Sequence, residues 1–181
     1  MTEKNYDLMK DFVKDFLYEA DIDNGLVRVG IVSYSTEVTV EFQMNEYFSK
    51  SDVYNAIDDI PYRYGSTNTA DALLRMRSDM FTSRNGDRSD VENICIIVTD
   101  GVSNINARRV EPEATQARAS GIHIYAIGIG LSDTKELDTI ASKPVEENRF
   151  TVQEFSELRD LRHKVFSSLC EYFNDNGTEI K

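Results

Sequence analysis

Two short polar segments carry the residue types that could hold a ligand. Thr99-Asp100-Gly101 follows directly on an apolar run, and Gly65-Ser66-Thr67-Asn68-Thr69 leads into a helical pattern. An aspartate that ends a buried strand is held rigidly, and Gly101 lets a ligand or loop approach the backbone closely. Hard cations such as Mg²⁺ take their ligands from carboxylate, hydroxyl and water oxygens. Asp100 and Thr67 could therefore share one cation. The same residues also have plainer uses: Thr67 or Thr69 can cap its helix, and Asp100 can close an Asx turn. Arg63 and Tyr64 stand beside the Thr67 loop, where they either rim a partner-binding face or pack on it.

Other chemistries find little support. There is no nucleophile–base pair, no phosphate-cradling P-loop, and no G-x-G-x-x-G after a strand, because Gly128-x-Gly130 lacks the third glycine. A metal-dependent phosphohydrolase built on Asp100 would need further carboxylates at strand ends. The other strands end in Ser35, Met44 and Gly130. The chain is therefore expected not to be an enzyme. Cys95 sits in an apolar strand and reads as a core thiol; its placement does not suggest pairing with Cys170. His123 reads as a packed residue of a strand and His163 as a surface residue, so a zinc site is not expected. Arg84, Arg88, Arg108 and Arg109 read as solvated loop residues, and Glu111, Glu113, Glu146 and Glu147 as ordinary surface acids. Asn176-Gly177-Thr178 fits the N-glycosylation pattern.

These segments need a scaffold, and the hydrophobic periodicity supplies one. Met9, Phe12, Val13, Phe16 and Leu17 fall at i, i+3, i+4, i+7 spacing and predict a first helix, stopped by Asp23-Asn24-Gly25. Residues 26–35 (LVRVGIVSYS) predict a strand covered on both faces, and 38–44 an edge hairpin strand. A short helix with Val53, Ala56 and Ile57 inward follows, then one bearing Ala70, Leu73, Leu74 and Met80. Residues 83–90 read as a solvated loop. Asn93–Thr99 (NICIIVT) is the most apolar strand. A helix from about Pro112 to Ser120 stops at Gly121, and 122–130 forms another buried strand. A short helix around Leu137 and Ile140, a strand at Arg149–Val152 and a last helix from about Phe155 to Phe173 complete the pattern. Such alternation of strand and helix implies an α/β fold: a mostly parallel sheet, one antiparallel edge strand, and helices on both faces.

The chain has 181 residues, with 20 Lys+Arg against 32 Asp+Glu, a net charge of −12 and a pI of about 4.6. That length fits one domain, taken here as residues 1–173 with a polar tail at 174–181. So acidic a chain argues against nucleic-acid binding, which needs a basic face. No run approaches the roughly 18 apolar residues of a membrane span, and MTEKNYDLMK lacks the apolar core of a signal peptide.

Ile94-Cys95-Ile96-Ile97-Val98-Thr99-Asp100-Gly101 resembles the strand-plus-TDG signature of von Willebrand factor type A domains. Gly65-Ser66-Thr67-Asn68-Thr69-Ala70 with Ala72-Leu73 resembles that family's GxTxTxxAL loop. Val29–Ser35 resembles its second strand, and Gly121–Gly130 its GIxIYAIGIG strand. Order and spacing are kept across about residues 5–173. The resemblance implies a Rossmann-like three-layer sandwich with a metal-ion-dependent adhesion site that holds Mg²⁺ or Mn²⁺ and recruits an acidic group of a protein partner. Carried over by position, Thr67 would be the hydroxyl ligand and Asp100 the carboxylate, with Arg63, Tyr64, Ser66, Asn68 and Gly101 as the partner-binding rim. The family's style here is that of collagen-like and matrix proteins, which implies a secreted, extracellular-matrix protein that binds a matrix or cell-surface protein.

One departure is large. The family's first central strand ends in D-x-S-x-S, and this sequence contains no such motif; Met1–Tyr6 resembles the segment just after it. The expectation is an N-terminally incomplete domain, or one whose strand comes from elsewhere. The sheet should then be open between 26–35 and 93–99, leaving backbone groups unpaired. The metal site should keep only Thr67 and Asp100, too few oxygens for tight binding. A metal-independent structural or assembly role is the alternative. In the family a Cys near the end of the last helix pairs with one before the first strand, so Cys170 is expected to be free.

Overall fold

The computed structural model describes residues 1–175, with side chains through Tyr172. Asn176 and the 176–181 part of the expected tail lie outside the described residues. Helix α1 (Glu3–Phe16) starts where the Thr2 hydroxyl accepts the Asn5 amide at 3.2 Å. Strands β1 (Ile31–Tyr34) and β2 (Val38–Phe42) form an antiparallel hairpin whose register slips between Ile31 and Val32. Helix α2 (Lys50–Asp58) is capped by Ser49, whose hydroxyl accepts the Asp52 amide at 3.1 Å. Helix α3 (Thr69–Arg75) runs on into a π-turn at Met76–Met80. Then come β3 (Asn93–Thr99), α4 (Val110–Ala119), β4 (Ile122–Ile129), α5 (Lys135–Ile140), α6 (Val145–Asn148), β5 (Arg149–Val152) and α7 (Leu158–Asp175).

Strands β3, β4 and β5 make a parallel sheet, with Asn93 opposite Ile122, Thr99 opposite Gly128, and Ala126 opposite Arg149. Alternation along β4 sends successive side chains to opposite faces. Ile124 and Ala126 meet Leu73, Ala114 and Leu137 of α3, α4 and α5. Ile127 and Ile129 meet Phe12 of α1 and Leu158 and Val165 of α7. This gives the expected three layers. A third cluster, with Ile22, Phe42, Val53 and Ile57, lies under the hairpin. Gly128 is required by packing: a Cβ there would sit 2.5 Å from Leu137 Cδ1 and 2.7 Å from Leu131 Cδ1. Gly121, at φ +87°, ends α4 in the left-handed conformation that glycine adopts without strain.

The expected strand at 26–35 is shorter than its apolar run: only Ile31–Tyr34 is paired. The reason is the lack of a ladder partner on one side. Strands β1 and β2 form a two-stranded sheet, and β3-β4-β5 a separate three-stranded one. Among the described residues no backbone hydrogen bond joins β1 to β3. The apolar strand β3 therefore keeps Ile94, Cys95, Ile96 and Val98 only half-buried, whereas β4 is buried almost throughout. Both Cys95 and Cys170 are free. His123 is packed, with ring centroids 4.8 Å from Tyr125 and 4.0 Å from Tyr172 and Nε2 2.6 Å from Asn148 Oδ1; burial lowers its pKa. His163 is exposed.

Candidate functional site

The two polar segments meet at the carboxyl end of the strands. The Asn68 amide donates to the Ser35 carbonyl just past β1 at 3.0 Å. The Ser66 amide donates to Thr36 Oγ1 at 3.0 Å. The Thr67 amide donates to Asn104 Oδ1 at 2.9 Å, and its carbonyl accepts from the Asn104 and Ile105 amides at 3.1 and 3.2 Å. This pins the Thr67 loop between β1 and the segment after β3. The Thr67 hydroxyl faces Gly101, where a Cβ would lie 3.5 Å from Thr67 Oγ1. Thr99 Oγ1 donates to the Gly101 carbonyl at 2.8 Å and fixes the turn that presents Asp100.

The Asp100 carboxylate already has a cationic neighbour, the Met1 α-ammonium 3.0 Å from Oδ2. Nearby, both Glu136 oxygens accept the Ser103 amide at 3.0 Å. Asp100, Asp133 and Glu136 also line a shallow hollow of about 480 Å³ with Val102, Gly130 and Ser132. Among the described residues no three His, Cys, Asp or Glu side chains converge as metal ligands would. Mg²⁺ asks for near-octahedral oxygen coordination at about 2.0–2.1 Å. Thr67 and Asp100 supply one hydroxyl and one carboxylate toward such a set.

The remaining expected rim residues separate. Tyr64 is 79% exposed and stacks edge-on against Tyr62 at 4.7 Å. Tyr62 in turn packs on Tyr6 at 5.5 Å. Ser66 and Gly101 are half-buried. Arg63 is exposed, but its guanidinium is ion-paired with Glu41 and donates to Ser33 Oγ at 3.0 Å. Asn68 is not a rim residue: it is 5% exposed, and its Oδ1 caps α3 by accepting the Asp71 amide at 3.3 Å. Its polar character suggested surface, but the Asn68-x-x-Asp71 spacing is a capping signal. Val102, half exposed beside Asp100, and the Asn104 clamp were not anticipated. Two residues in a loop of mixed polarity carry no periodic signal.

The second feature is the opening between the sheets. Strands β1 and β3 line one cavity of about 1580 Å³, walled by α1 residues such as Phe12 and Phe16 and by Leu73 and Met76 around α3. The strands run in the same direction. Their carboxyl ends meet at the Thr67–Gly101 contact. At the other end Arg88, which precedes β3, donates to the Gly25 and Leu26 carbonyls ahead of β1 at 2.8 and 2.7 Å. Tyr34 reaches across, and its hydroxyl donates to the Val98 carbonyl at 3.1 Å. Burial pushes that phenol well above its ordinary pKa, and burial raises the Cys95 thiol to about 12.

Among known proteins, the family model for the von Willebrand factor type A domain matches residues 1–164. Mouse collagen alpha-4(VI) chain is 32% identical over 169 residues, covering 92% of this chain and 7% of that protein. Mouse matrilin-2 is 30% identical over 178 residues, 97% of this chain and 18% of its own length. Human matrilin-1 is 29% identical over 167 residues, 92% of this chain and 33% of its own. A structure of proximal thread matrix protein 1 from the mussel byssus superposes with a TM-score of 0.87 at 32% identity, over 93% of this chain and 43% of that one. Another structure of that protein, with a zinc-occupied MIDAS motif, gives 0.86 at 31% identity, over 93% and 44%. The chain thus spans a third or less of these curated relatives and less than half of the mussel protein. Sequence match and fold agree over nearly the same residues, and the chain belongs to the von Willebrand factor type A domain family.

Proposed function

We propose that this chain is a protein-binding module of an extracellular-matrix protein, and that it engages its partner through the carboxyl-end face without depending on a tightly held cation. The relatives named collagen and matrilin support the matrix setting. The observation that carries the binding mode is the donor set. Thr67 and Asp100 are the two expected donors at this face, and one hydroxyl with one carboxylate holds Mg²⁺ or Mn²⁺ only weakly. The same face exposes Tyr64 and Val102. A large aromatic with a polar tip is the kind of anchor that dominates protein interfaces. No covalent chemistry is assigned to it, since no nucleophile–base pair stands there.

Immobilised chain exposed to purified fibrillar collagen and matrilin tests this. Saturable binding is expected to at least one of them. Tyr64→Ala should weaken it about tenfold or more, while EDTA or Asp100→Ala should change it by less than about threefold. Binding abolished by EDTA would restore the cation-bridged mode. No saturable binding to either protein would remove the assignment.

A further inference from the structure

We propose that His123 is the titrating part of an acid-operated latch that holds the last turns of α7 against the sheet. His123 and Tyr125 share a face of β4 with Ile127 and Ile129, which pack toward α1 and α7. The His123 ring lies 4.0 Å from the Tyr172 ring of α7 and 4.8 Å from the Tyr125 ring, centroid to centroid. Tyr172 also donates its hydroxyl to Glu92 Oε2, just ahead of β3, at 3.1 Å. Leu158, Leu161 and Val165 bury the first half of α7, but beyond Val165 no described side chain of the helix is buried. The contacts of Tyr172 therefore weigh heavily in docking that end. The latch lies at the amino ends of the strands and is independent of the carboxyl-end face proposed above.

Asn148 sets the protonation of the ring. Its Nδ2 donates to the Pro144 carbonyl at 2.9 Å, which turns Oδ1 toward His123. The neutral imidazole therefore carries its hydrogen on Nε2 and donates it to that oxygen at 2.6 Å. A second proton must go to Nδ1, which has no hydrogen-bonded acceptor among the described residues. The titratable groups around His123 and Tyr125 are Glu92 ahead of β3, Glu147 on α6, and Cys170, Glu171 and Tyr172 on α7. Burial opposes the imidazolium and outweighs the Asn148 bond and the Glu92 carboxylate, which favour it, so the pKa of His123 is lowered. Such a histidine stabilises the packed state while it is neutral. That stability is full above about pH 6.5 and is lost as pH falls through the lowered folded value. The least costly relief is to lift the end of α7, because a helix terminus opens more easily than the core. Lifting it also wets the Tyr125 hydroxyl, which is buried and without a hydrogen-bond partner among the described residues.

Hydrogen exchange of the 1–181 chain at about pH 7.4 and about pH 5, corrected for intrinsic rates, tests the latch. Amides of residues 167–173 should exchange about threefold or more faster in acid, while α4 amides are unchanged. His123→Phe keeps an aromatic ring and removes the titration, so its 167–173 amides should exchange equally at both pH values. Tyr172→Phe keeps the stack and loses the Glu92 bond. It should exchange faster than the parent at both pH values and keep the acid response. Should His123→Phe fail to fold, an NMR titration of the parent decides: the His123 and Tyr172 ring signals should shift together, with a midpoint below about pH 6.5. Equal exchange in the parent at both pH values, an acid response retained in His123→Phe, or a His123 midpoint at or above about pH 6.5 overturns the proposal. So does acid that speeds α4 amides as much as those of residues 167–173.

Discussion

Ile127→Ala is expected to lower the unfolding free energy by about 2–5 kcal/mol, while Ile96→Ala should lower it by only roughly 1–2 kcal/mol. Both residues pack toward the α1–α7 layer. Ile127 lies on the central strand β4 and is fully buried. Its truncation leaves a cavity walled by β3, β5, α1 and α7, and close-packed surroundings relax only partly into such a void. Ile96 lies one strand away, on the edge that borders the opening, and is already half-exposed. Deleting it removes less buried surface and enlarges space that is open already. In a continuous sheet the two positions would be nearly equivalent. Urea denaturation of the two variants reads the difference directly. Equal losses would mean that β1 and β3 close on one another in solution.

Glu113→Ala should destabilise the chain by about 1–3 kcal/mol, much more than an ordinary surface acid would. The sequence alone suggests a solvated glutamate at 113, yet this one is 8% exposed. Its carboxylate accepts from Arg77 at 3.1 Å and from Arg109 at 3.0 Å. Arg109 continues to Asp71 at 2.8 Å, and Asp71 accepts from Asn68 Nδ2 at 2.9 Å. The chain of contacts ties α4 to the cap of α3 and so to the Thr67 loop. The loss comes mainly from the Arg77 side, where removing one member of a partly buried pair leaves the other charge uncompensated. Arg109 is exposed, and solvent screening keeps its share small. Glu113→Gln keeps the shape and should lose less than the alanine variant. Thermal melts of the two variants check the order. No measurable loss on Glu113→Ala would mean that the network contributes nothing to the stability of the fold.

How far the sequence speaks depends on the element. Asn93–Thr99 and Arg149–Val152 match the expected strands residue for residue, because each pairs with the rigid β4 over its apolar run. Residues 26–30 read equally apolar but form no strand, since pairing, not composition, makes a ladder. The single turn α6 follows Pro144 and is too short to show a period. The open sheet was legible only through the family resemblance, as a strand the pattern lacked. At the site, the meeting of Thr67 with the Asp100–Gly101 turn was legible, because strand ends in an α/β fold converge. What it missed is burial by capping at Asn68 and the anchoring of Thr67 by Asn104, both set by tertiary contacts between loops.

The carboxyl-end face is proposed as a protein-binding surface rather than a tight cation site. Thermal melts of the 1–181 chain in EDTA and in 5 mM Mg²⁺ or Mn²⁺ test it most directly. A cation that binds only the folded state stabilises by RT ln(1 + [L]/Kd), about 2.7 kcal/mol at a hundredfold excess over Kd. With Thr67 and Asp100 as the fixed donors, one cooperative transition is expected whose midpoint moves by less than about 1 °C between buffers. A rise of about 5 °C or more in Mg²⁺ or Mn²⁺, lost in Asp100→Ala, would contradict it.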